Sequence, residues 1–150
     1  MKANGFLLIA GGLLAVTAAA KLYSSFPASP VLLSREPVFM LPLRSLFIVS
    51  GILELAIALY CIWSRSNFNR ALLIVCISTT FVLYRAALLS FGYTGPCPCL
   101  GTVTDSIGIS PEKADYFLLS MLITMLIGGS VILFREYAAR SLSAGNGSIK

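Results

Sequence analysis

The sequence predicts an all-α integral membrane protein, built as a single bundle of four transmembrane helices. Of its 150 residues, 57% are hydrophobic and only 11% are charged, whereas soluble domains average about 25% charged residues. A chain this apolar cannot hide its hydrophobic surface in a core of its own, so lipid must cover the excess. Four apolar runs come close to the roughly 20 residues that a helix needs to cross a bilayer.

The predicted helices lie in one membrane domain that covers residues 1–150, and they occupy about residues 5–23, 45–63, 71–91 and 116–134. No alternation of polar and apolar residues indicates a membrane barrel. The pair Ser110-Pro111 suits the start of the fourth helix, as a cap followed by a first-turn proline. The polar, glycine-containing end of the chain predicts a flexible cytoplasmic tail over 136–150. The first run also resembles a cleavable signal peptide, with Lys2 before it and small residues at 18–20.

Positive charges predict the orientation of the four helices. One side carries six basic residues, namely Lys2, Arg65, Arg70, Arg135, Arg140 and Lys150. The other side carries four, namely Lys21, Arg35, Arg44 and Lys113. The richer side is expected in the cytoplasm, which places both termini inside and the segment 92–115 outside. The expected location is the inner membrane of a bacterium.

The composition also excludes several functional classes. The net charge is +5, but the basic residues are scattered, so no nucleic-acid partner is expected. The chain has no histidine, which rules out His-ligated haem, His-containing metal sites and Ser-His or Cys-His catalysis within this chain alone. No cofactor motif is evident, and the lipid bilayer is the one partner that composition implies.

The most distinctive motif is a pair of cysteines in the last long connection, in Gly95-Pro96-Cys97-Pro98-Cys99-Leu100-Gly101. A disulfide that closes so small a ring is strained, and strain makes a disulfide exchangeable. Pro96 and Pro98 restrict the backbone around the sulfurs, whereas Gly95 and Gly101 let the chain turn and a partner approach. Two alternatives remain open, a static disulfide that pins the loop and chelation of Cu(I) or Zn.

Two further cysteines, Cys61 and Cys76, lie in apolar surroundings on the second and third predicted helices. Buried free cysteine usually behaves as a small hydrophobic residue, and this is the interpretation adopted for both. The outer face then holds a single cysteine pair. A redox role for Cys97 and Cys99 would therefore require a partner protein to exchange electrons.

Three ionisable residues, Lys21, Glu54 and Arg85, fall inside the predicted spans, all in their outer half. Charges in lipid are costly unless paired, and they often mark function. The similar depths of Glu54 and Arg85 predict an ion pair between the second and third helices. The functional alternative is a polar cavity beneath the cysteine loop, in which Arg85 or Lys21 favours the thiolate form of a cysteine. The two interpretations are compatible.

Several of these residues together resemble a known family. Lys21 at the end of the first helix, Glu54 in the second, Tyr84-Arg85 in the third and Cys97-Pro98-Cys99-Leu100-Gly101 after it are similar to the DoxX-like membrane proteins, and most closely to their methylamine-utilisation branch, MauE. The resemblance covers about residues 5–135, and Leu100 stands where family members often have Phe. It implies a four-helix membrane bundle associated with redox chemistry and with maturation of a disulfide-rich client, alongside a thioredoxin-like partner.

The expected function is therefore extracytoplasmic thiol–disulfide exchange, with Cys97 and Cys99 passing electrons to or from a thioredoxin-like protein or a secreted client. Whether the chain is itself an enzyme stays open. A quinone is a conceivable terminal electron acceptor, although no quinone motif is evident. The alternative is a non-catalytic membrane scaffold that recruits a redox enzyme. A small-solute transporter fits less well, because four helices without broken repeats offer little for alternating access.

Overall fold

The computed structural model describes residues 3–26, 41–92 and 111–146, and these ranges contain four long helices. The helices are α1 (Ala3–Ser24), α2 (Leu43–Trp63), α3 (Asn67–Ser90) and α4 (Pro111–Asn146). Each contains a stretch long and apolar enough to cross a membrane. The predicted all-α bundle of four transmembrane helices is therefore confirmed, and the chain is a multi-pass membrane protein.

The fourth helix differs most from its predicted bounds. Among the described residues it covers Pro111–Asn146, so it continues well past the predicted end at residue 134. Its 36 residues span about 54 Å, well beyond the roughly 30 Å of a hydrocarbon core. Residues 136–146, where the sequence predicts a flexible tail, therefore belong to this helix. The guanidinium of Arg140 lies 4.3 Å from the ring centroid of Phe68 on α3, and this contact supports the helical extension.

The bundle consists of two helical hairpins, because α1 packs chiefly along α2 and α3 chiefly along α4. Glycines allow close approach in both. A Cβ atom placed on Gly11 would lie 3.1 Å from the Cβ of Cys61 on α2, and one on Gly129 would lie 2.9 Å from Val75 on α3. Without a hydrophobic driving force between helices in lipid, such close backbone packing is a main source of association.

A tight turn joins the two hairpins. It spans residues 64–66, and the hydrogen bond from Arg70 Nη2 to the carbonyl oxygen of Ile62 (3.3 Å) crosses it. At its other end α3 stops at Ser90, and Gly92, two residues later, adopts a left-handed φ of 73° and donates its N–H to the carbonyl of Leu89. Glycine takes this conformation without strain and commonly ends helices. The segment that carries Cys97 and Cys99 begins directly after it.

The core is small, and the outer surface is apolar. Buried core residues come from all four helices: Leu7, Ala10, Leu14, Ala58, Cys61, Ala71, Ile74, Ile77 and Met125. On the outside, large hydrophobic side chains such as Ile9, Val16 and Val49 are more than half exposed. In water this surface would be strongly unfavourable, whereas in a bilayer it contacts lipid.

Neighbouring helices run in opposite directions. Gly11 faces Cys61 and Ala58, whereas Thr17, further along α1, hydrogen-bonds to Glu54, earlier in α2. This order defines an antiparallel pair, and α3 and α4 pair in the same way. The start of α1 and the end of α4 therefore lie at one end of the bundle. The connections that follow α1 and α3 leave from the other end, which we call the loop end.

Candidate functional site

A buried ion pair joins α1 to α2 near the loop end of the bundle. The ammonium of Lys21 contacts Oε1 of Glu54, and the side chains are only 6% and 1% exposed. Removing two charges from water is costly, and the cost is recovered only where the charges are paired and further hydrogen-bonded. The arrangement at Glu54 meets both conditions.

The direction of helical side chains explains why these two residues meet. Every Cα–Cβ bond in a helix tilts towards the N-terminus of that helix. The side chain of Lys21 therefore points from the loop end into the bundle. That of Glu54, on an antiparallel helix, points back towards the loop end. The flexible four-carbon stem of Lys21 covers the remaining difference in depth.

Thr17 completes the coordination of the carboxylate. Its hydroxyl lies 3.1 Å from Oε2 of Glu54 and 3.0 Å from the carbonyl oxygen of Leu14, one turn earlier. Both carboxylate oxygens of Glu54 thus have donors, one from Lys21 and one from Thr17. Thr17 lies seven residues before the end of α1, which places this site about 10 Å below the end of that helix.

The third helix contributes an aromatic ring. The ammonium of Lys21 sits 4.2 Å from the centroid of the Phe81 ring. A cation at this distance from an aromatic face is attracted by the ring quadrupole, and the attraction is larger in a dry environment. Lys21 therefore links α1 both to α2, through Glu54, and to α3, through Phe81.

The prediction that Glu54 pairs with Arg85 is wrong. The partner of Glu54 is Lys21, and Arg85 instead lines the cavity beside that pair. The physical reason is helix packing, since α2 contacts α1 extensively but α3 only slightly. Depth along each helix, which suggested Arg85, carries no information about which helices are in contact.

The polar side chains face a cavity of about 50 Å³ inside the bundle. All four helices line it. Thr17, Lys21, Glu54 and Arg85 form its polar wall, whereas the side from α4 is apolar. The residues of that apolar side are Leu118, Leu119, Met121, Leu122 and Met125. Most of the lining surface is apolar, so the charged residues meet at a largely apolar cavity, and the polar cavity beneath the cysteine loop stays a prediction.

A second, larger space adjoins the first. It is a groove of about 330 Å³ between α1 and α4, lined mainly by apolar side chains. Met121 and Met125 line both spaces. The hydroxyls of Ser120 and Thr124 in the groove donate to carbonyls of their own helix, so the groove keeps an apolar character.

The cysteine motif lies outside the described residues. This applies to Cys97 and Cys99 and to the loop residues Gly95, Pro96, Pro98 and Gly101. The other two cysteines are described, and both are free. Cys61 is fully buried in the core against α1, whereas Cys76 is exposed on the lipid-facing surface of α3. Neither approaches the ion pair closely enough to line its cavity.

Thr17 and Phe81 are site residues that the sequence did not reveal. Thr17 precedes Lys21 by four residues, and residues at this spacing share a helix face. A polar residue one turn from an intramembrane charge is therefore a usable signal. Phe81 gives no comparable signal, because it is one of nine phenylalanines in the chain and only tertiary packing distinguishes it.

No family model, curated protein or solved structure matches this chain. Its site is therefore interpreted from its own geometry. A neutral ion pair beside an intramembrane cavity can orient a polar ligand and can hold three helices in a fixed relation. The described lining residues of the cavity include no cysteine, so thiol chemistry there would depend on groups brought to it.

Proposed function

We propose that the protein is a membrane component of extracytoplasmic thiol–disulfide exchange, of the MauE-like kind, that acts with a thioredoxin-like partner or on a secreted client. The supporting observation is the position of the polar site. Lys21, Glu54 and Arg85 line a cavity near the loop end, and the segment between Gly92 and Pro111 leaves from that end. Cys97 is five residues after Gly92, so covalent connectivity keeps it within about 18 Å of Gly92.

The exchange needs no cofactor in this chain. A thiolate of a reduced client attacks the Cys97–Cys99 disulfide, and the electron pair of the broken S–S bond stays on the departing sulfur, which takes up a proton. A second client thiolate then resolves the mixed disulfide. The client gains a disulfide, and the Cys97/Cys99 pair becomes a dithiol. The disulfide of a thioredoxin-like partner reoxidises it by the same two steps, and the cycle runs in either direction.

The burial of Lys21 supports the orientation that this chemistry requires. Lys21 was one of four basic residues assigned to the loop end, but it is held inside the bundle by Glu54. Three basic residues then remain at that end, Arg35, Arg44 and Lys113, against five at the other, where Arg70 is buried as well. This asymmetry favours an extracytoplasmic loop end, where disulfides form and persist.

A trapping experiment tests the proposal. In a Cys61→Ala/Cys76→Ala background, the additional Cys99→Ser substitution leaves Cys97 without a resolving partner. We expect a mixed disulfide with a client or partner protein that reductant releases, and none from the Cys97→Ser/Cys99→Ser variant. The matched control is the background itself, in which the pair is intact and adducts resolve.

The second candidate is a non-catalytic scaffold, and the locked contact of Lys21 with Glu54 and Phe81 favours it as a rigid framework. A scaffold predicts that client maturation survives the Cys97→Ser/Cys99→Ser substitutions and that no adduct forms. Loss of maturation together with a trapped adduct would favour exchange. The same pair of measurements therefore separates the two functions.

A further inference from the structure

Arg70 is a buried cation at the start of α3. The residue is only 7% exposed, yet the one ion pair within the described ranges joins Lys21 to Glu54, so no carboxylate there balances its charge. Its Nη2 donates to the carbonyl oxygen of Ile62 (3.3 Å), whereas its Nε is buried without an acceptor in the same part of the chain. A buried charge without a counter-charge is costly, so an anion is expected beside this guanidinium.

The N-terminus of α3 also attracts an anion. The helix follows Ser66, whose side chain makes no capping hydrogen bond, so its first N–H groups have no side-chain acceptor in the described ranges. The helix dipole adds partial positive charge at this point. The side chain of Arg70 tilts towards the same end of the helix, and its bond to Ile62, in the last turn of α2, holds it there. One bound anion would satisfy both the guanidinium and the helix end.

Two exposed arginines add positive charge around Arg70. Arg65 lies in the turn itself. Arg140 of α4 reaches the start of α3, where its guanidinium lies 4.3 Å from the centroid of the Phe68 ring. Glu136, one turn before Arg140, forms no ion pair within the described ranges. We call Arg65, Arg70 and Arg140 the arginine site, and guanidinium groups suit the oxygens of a phosphate.

The position of the arginine site relative to the membrane indicates the source of the phosphate. Trp63, the last residue of α2, is 86% exposed, and Tyr137 of α4 is 65% exposed. Exposed tryptophan and tyrosine side chains at the ends of membrane spans lie at the level of the lipid headgroups. The turn that follows Trp63 therefore lies beside the phosphates of the bilayer.

A second unpaired atom narrows the choice of headgroup. Oδ1 of Asn67 is buried without a donor in the described part of the chain, and residues three apart share a helix face, so this acceptor is on the same face as Arg70. A matching headgroup combines an anionic phosphate with a hydroxyl donor, as a glycerol headgroup does. The ammonium of ethanolamine also donates, but the like charges of the arginine site oppose it. Choline has no N–H or O–H donor.

We propose that the arginine site binds phosphatidylglycerol, an anionic phospholipid whose headgroup bears hydroxyls. The phosphate accepts hydrogen bonds from Nε of Arg70 and from the N–H groups at the start of α3, and a headgroup hydroxyl donates to Oδ1 of Asn67. The bound lipid fixes the turn that joins the two hairpins. This role is independent of the proposed thiol exchange, because the site lies at the opposite end of the bundle from the cysteine loop.

Fluorescence of Trp63, the one tryptophan of the chain, tests the proposal. The purified full-length protein is placed in phosphatidylcholine nanodiscs that contain a small fraction of a lipid brominated in its acyl chains, because bromine quenches tryptophan on contact. Brominated phosphatidylglycerol should be preferred about tenfold over brominated phosphatidylcholine at equal mole fraction, and brominated phosphatidylethanolamine should show no such preference. Equal quenching by the three lipids would overturn the proposal. Loss of the preference when inorganic phosphate is added at constant ionic strength would also overturn it and indicate a soluble anion.

Ser66→Asp supplies a carboxylate in place of the lipid phosphate. Aspartate is a good N-cap, and position 66 is one turn from Arg70, so this variant should fold and lose the preference for phosphatidylglycerol. Ser141→Asp is the matched control, because it adds the same charge on α4, and it should keep the preference. Equal loss in the two variants would indicate diffuse attraction to the surface charge and contradict the proposal.

Arg70→Gln removes the buried charge and should abolish the preference, and Ser66→Asp tests the same contact if Arg70→Gln does not fold. Arg135→Gln is the matched control. It removes one positive charge from the same end of the bundle, but position 135 lies about 140° around α4 from Arg140. Survival of the preference in Arg70→Gln, or an equal loss in Arg135→Gln, would overturn the assignment of the phosphate to Arg70.

Discussion

Lys21 and Glu54 pair inside the bundle although their backbones lie at different depths. Lys21 is three residues from the end of α1, whereas Glu54 is eleven residues into α2. The lysine side chain extends into the bundle and the glutamate side chain extends back, because their helices are antiparallel. The contact joins α1 to α2 at the same level at which Phe81 of α3 covers the ammonium.

The pair should dominate stability at this site. Lys21→Met or Glu54→Leu alone leaves a buried charge without its partner and should lower the free energy of unfolding by about 3–5 kcal/mol. The double variant should lose less than the sum, by at least about 1 kcal/mol. Reversible unfolding in mixed detergent micelles measures all three values. Simple additivity would mean that the two charges do not interact.

Arg85 provides the control for the double-mutant cycle of Lys21 and Glu54. It lines the same cavity, but Lys21 and Thr17 are the donors to the Glu54 carboxylate. Arg85→Met combined with Glu54→Leu should therefore show a smaller coupling energy than the Lys21 cycle does. A coupling energy with Glu54 that is larger for Arg85 than for Lys21 would instead support the Glu54–Arg85 pair that depth alone predicts.

Thr17 should contribute through its hydroxyl. Thr17→Val keeps the shape and removes the donor to Glu54, with an expected loss of about 0.5–2 kcal/mol in the free energy of unfolding. Thr17→Ser keeps the hydroxyl and should therefore retain most of the stability. Thr80→Val is the matched control, since that exposed hydroxyl donates to the carbonyl of Cys76 on its own helix, and its effect should stay within about 0.5 kcal/mol. Equal losses at the two positions would argue against a special role for Thr17.

Leucine substitutions at two adjacent glycines of α1, Gly11 and Gly12, should have different effects on the stability of the bundle. Gly11→Leu forces a side chain against Cys61 and Ala58 and should destabilise the bundle by about 1–3 kcal/mol. Gly12 has nothing within 4 Å of an added Cβ, so Gly12→Leu should be neutral or slightly stabilising, because leucine favours a helix over glycine by up to about 1 kcal/mol. Thermal unfolding of the two variants compares them directly, and a more harmful Gly12→Leu would contradict the packing of α1 on α2.

Composition and periodic apolar length were enough to predict the four helices, because hydrophobic length is a local property of the sequence. The C-terminal end of α4 was predicted too early, because helix length is not set by hydrophobic length alone. Polar residues from Arg135 onward indicate the end of the membrane span, but the helix continues past it to Asn146. Composition marks where lipid ends, whereas helix length depends also on contacts such as Arg140 with Phe68.

The charged residues of the site could be predicted from the sequence, but the ion pair that they form could not. Lys21, Glu54 and Arg85 stand out because charges are rare inside spans, and all three line one cavity. Their sequence positions give depth but not helix neighbours, so Glu54 was assigned the wrong partner. The role of Cys97 and Cys99 remains a prediction from their spacing.

The orientation is testable with the cysteines that the chain already has. In the Cys61→Ala/Cys76→Ala/Cys99→Ser variant, Cys97 is the one remaining thiol. A membrane-impermeant maleimide added to intact cells should label it, since the basic residues favour an extracytoplasmic loop end. Labelling only after the cells are opened would place the motif in the reducing cytoplasm and contradict the proposed exchange.

The reduction potential of the Cys97–Cys99 couple tests the central claim most directly. It is measured in detergent on the Cys61→Ala/Cys76→Ala variant, equilibrated with glutathione buffers of known ratio and quenched with a thiol-alkylating reagent that shifts the mass. An exchange component should have a potential near or above about −230 mV, in the range of known oxidoreductases. A potential below about −300 mV would mark a structural disulfide and contradict the account.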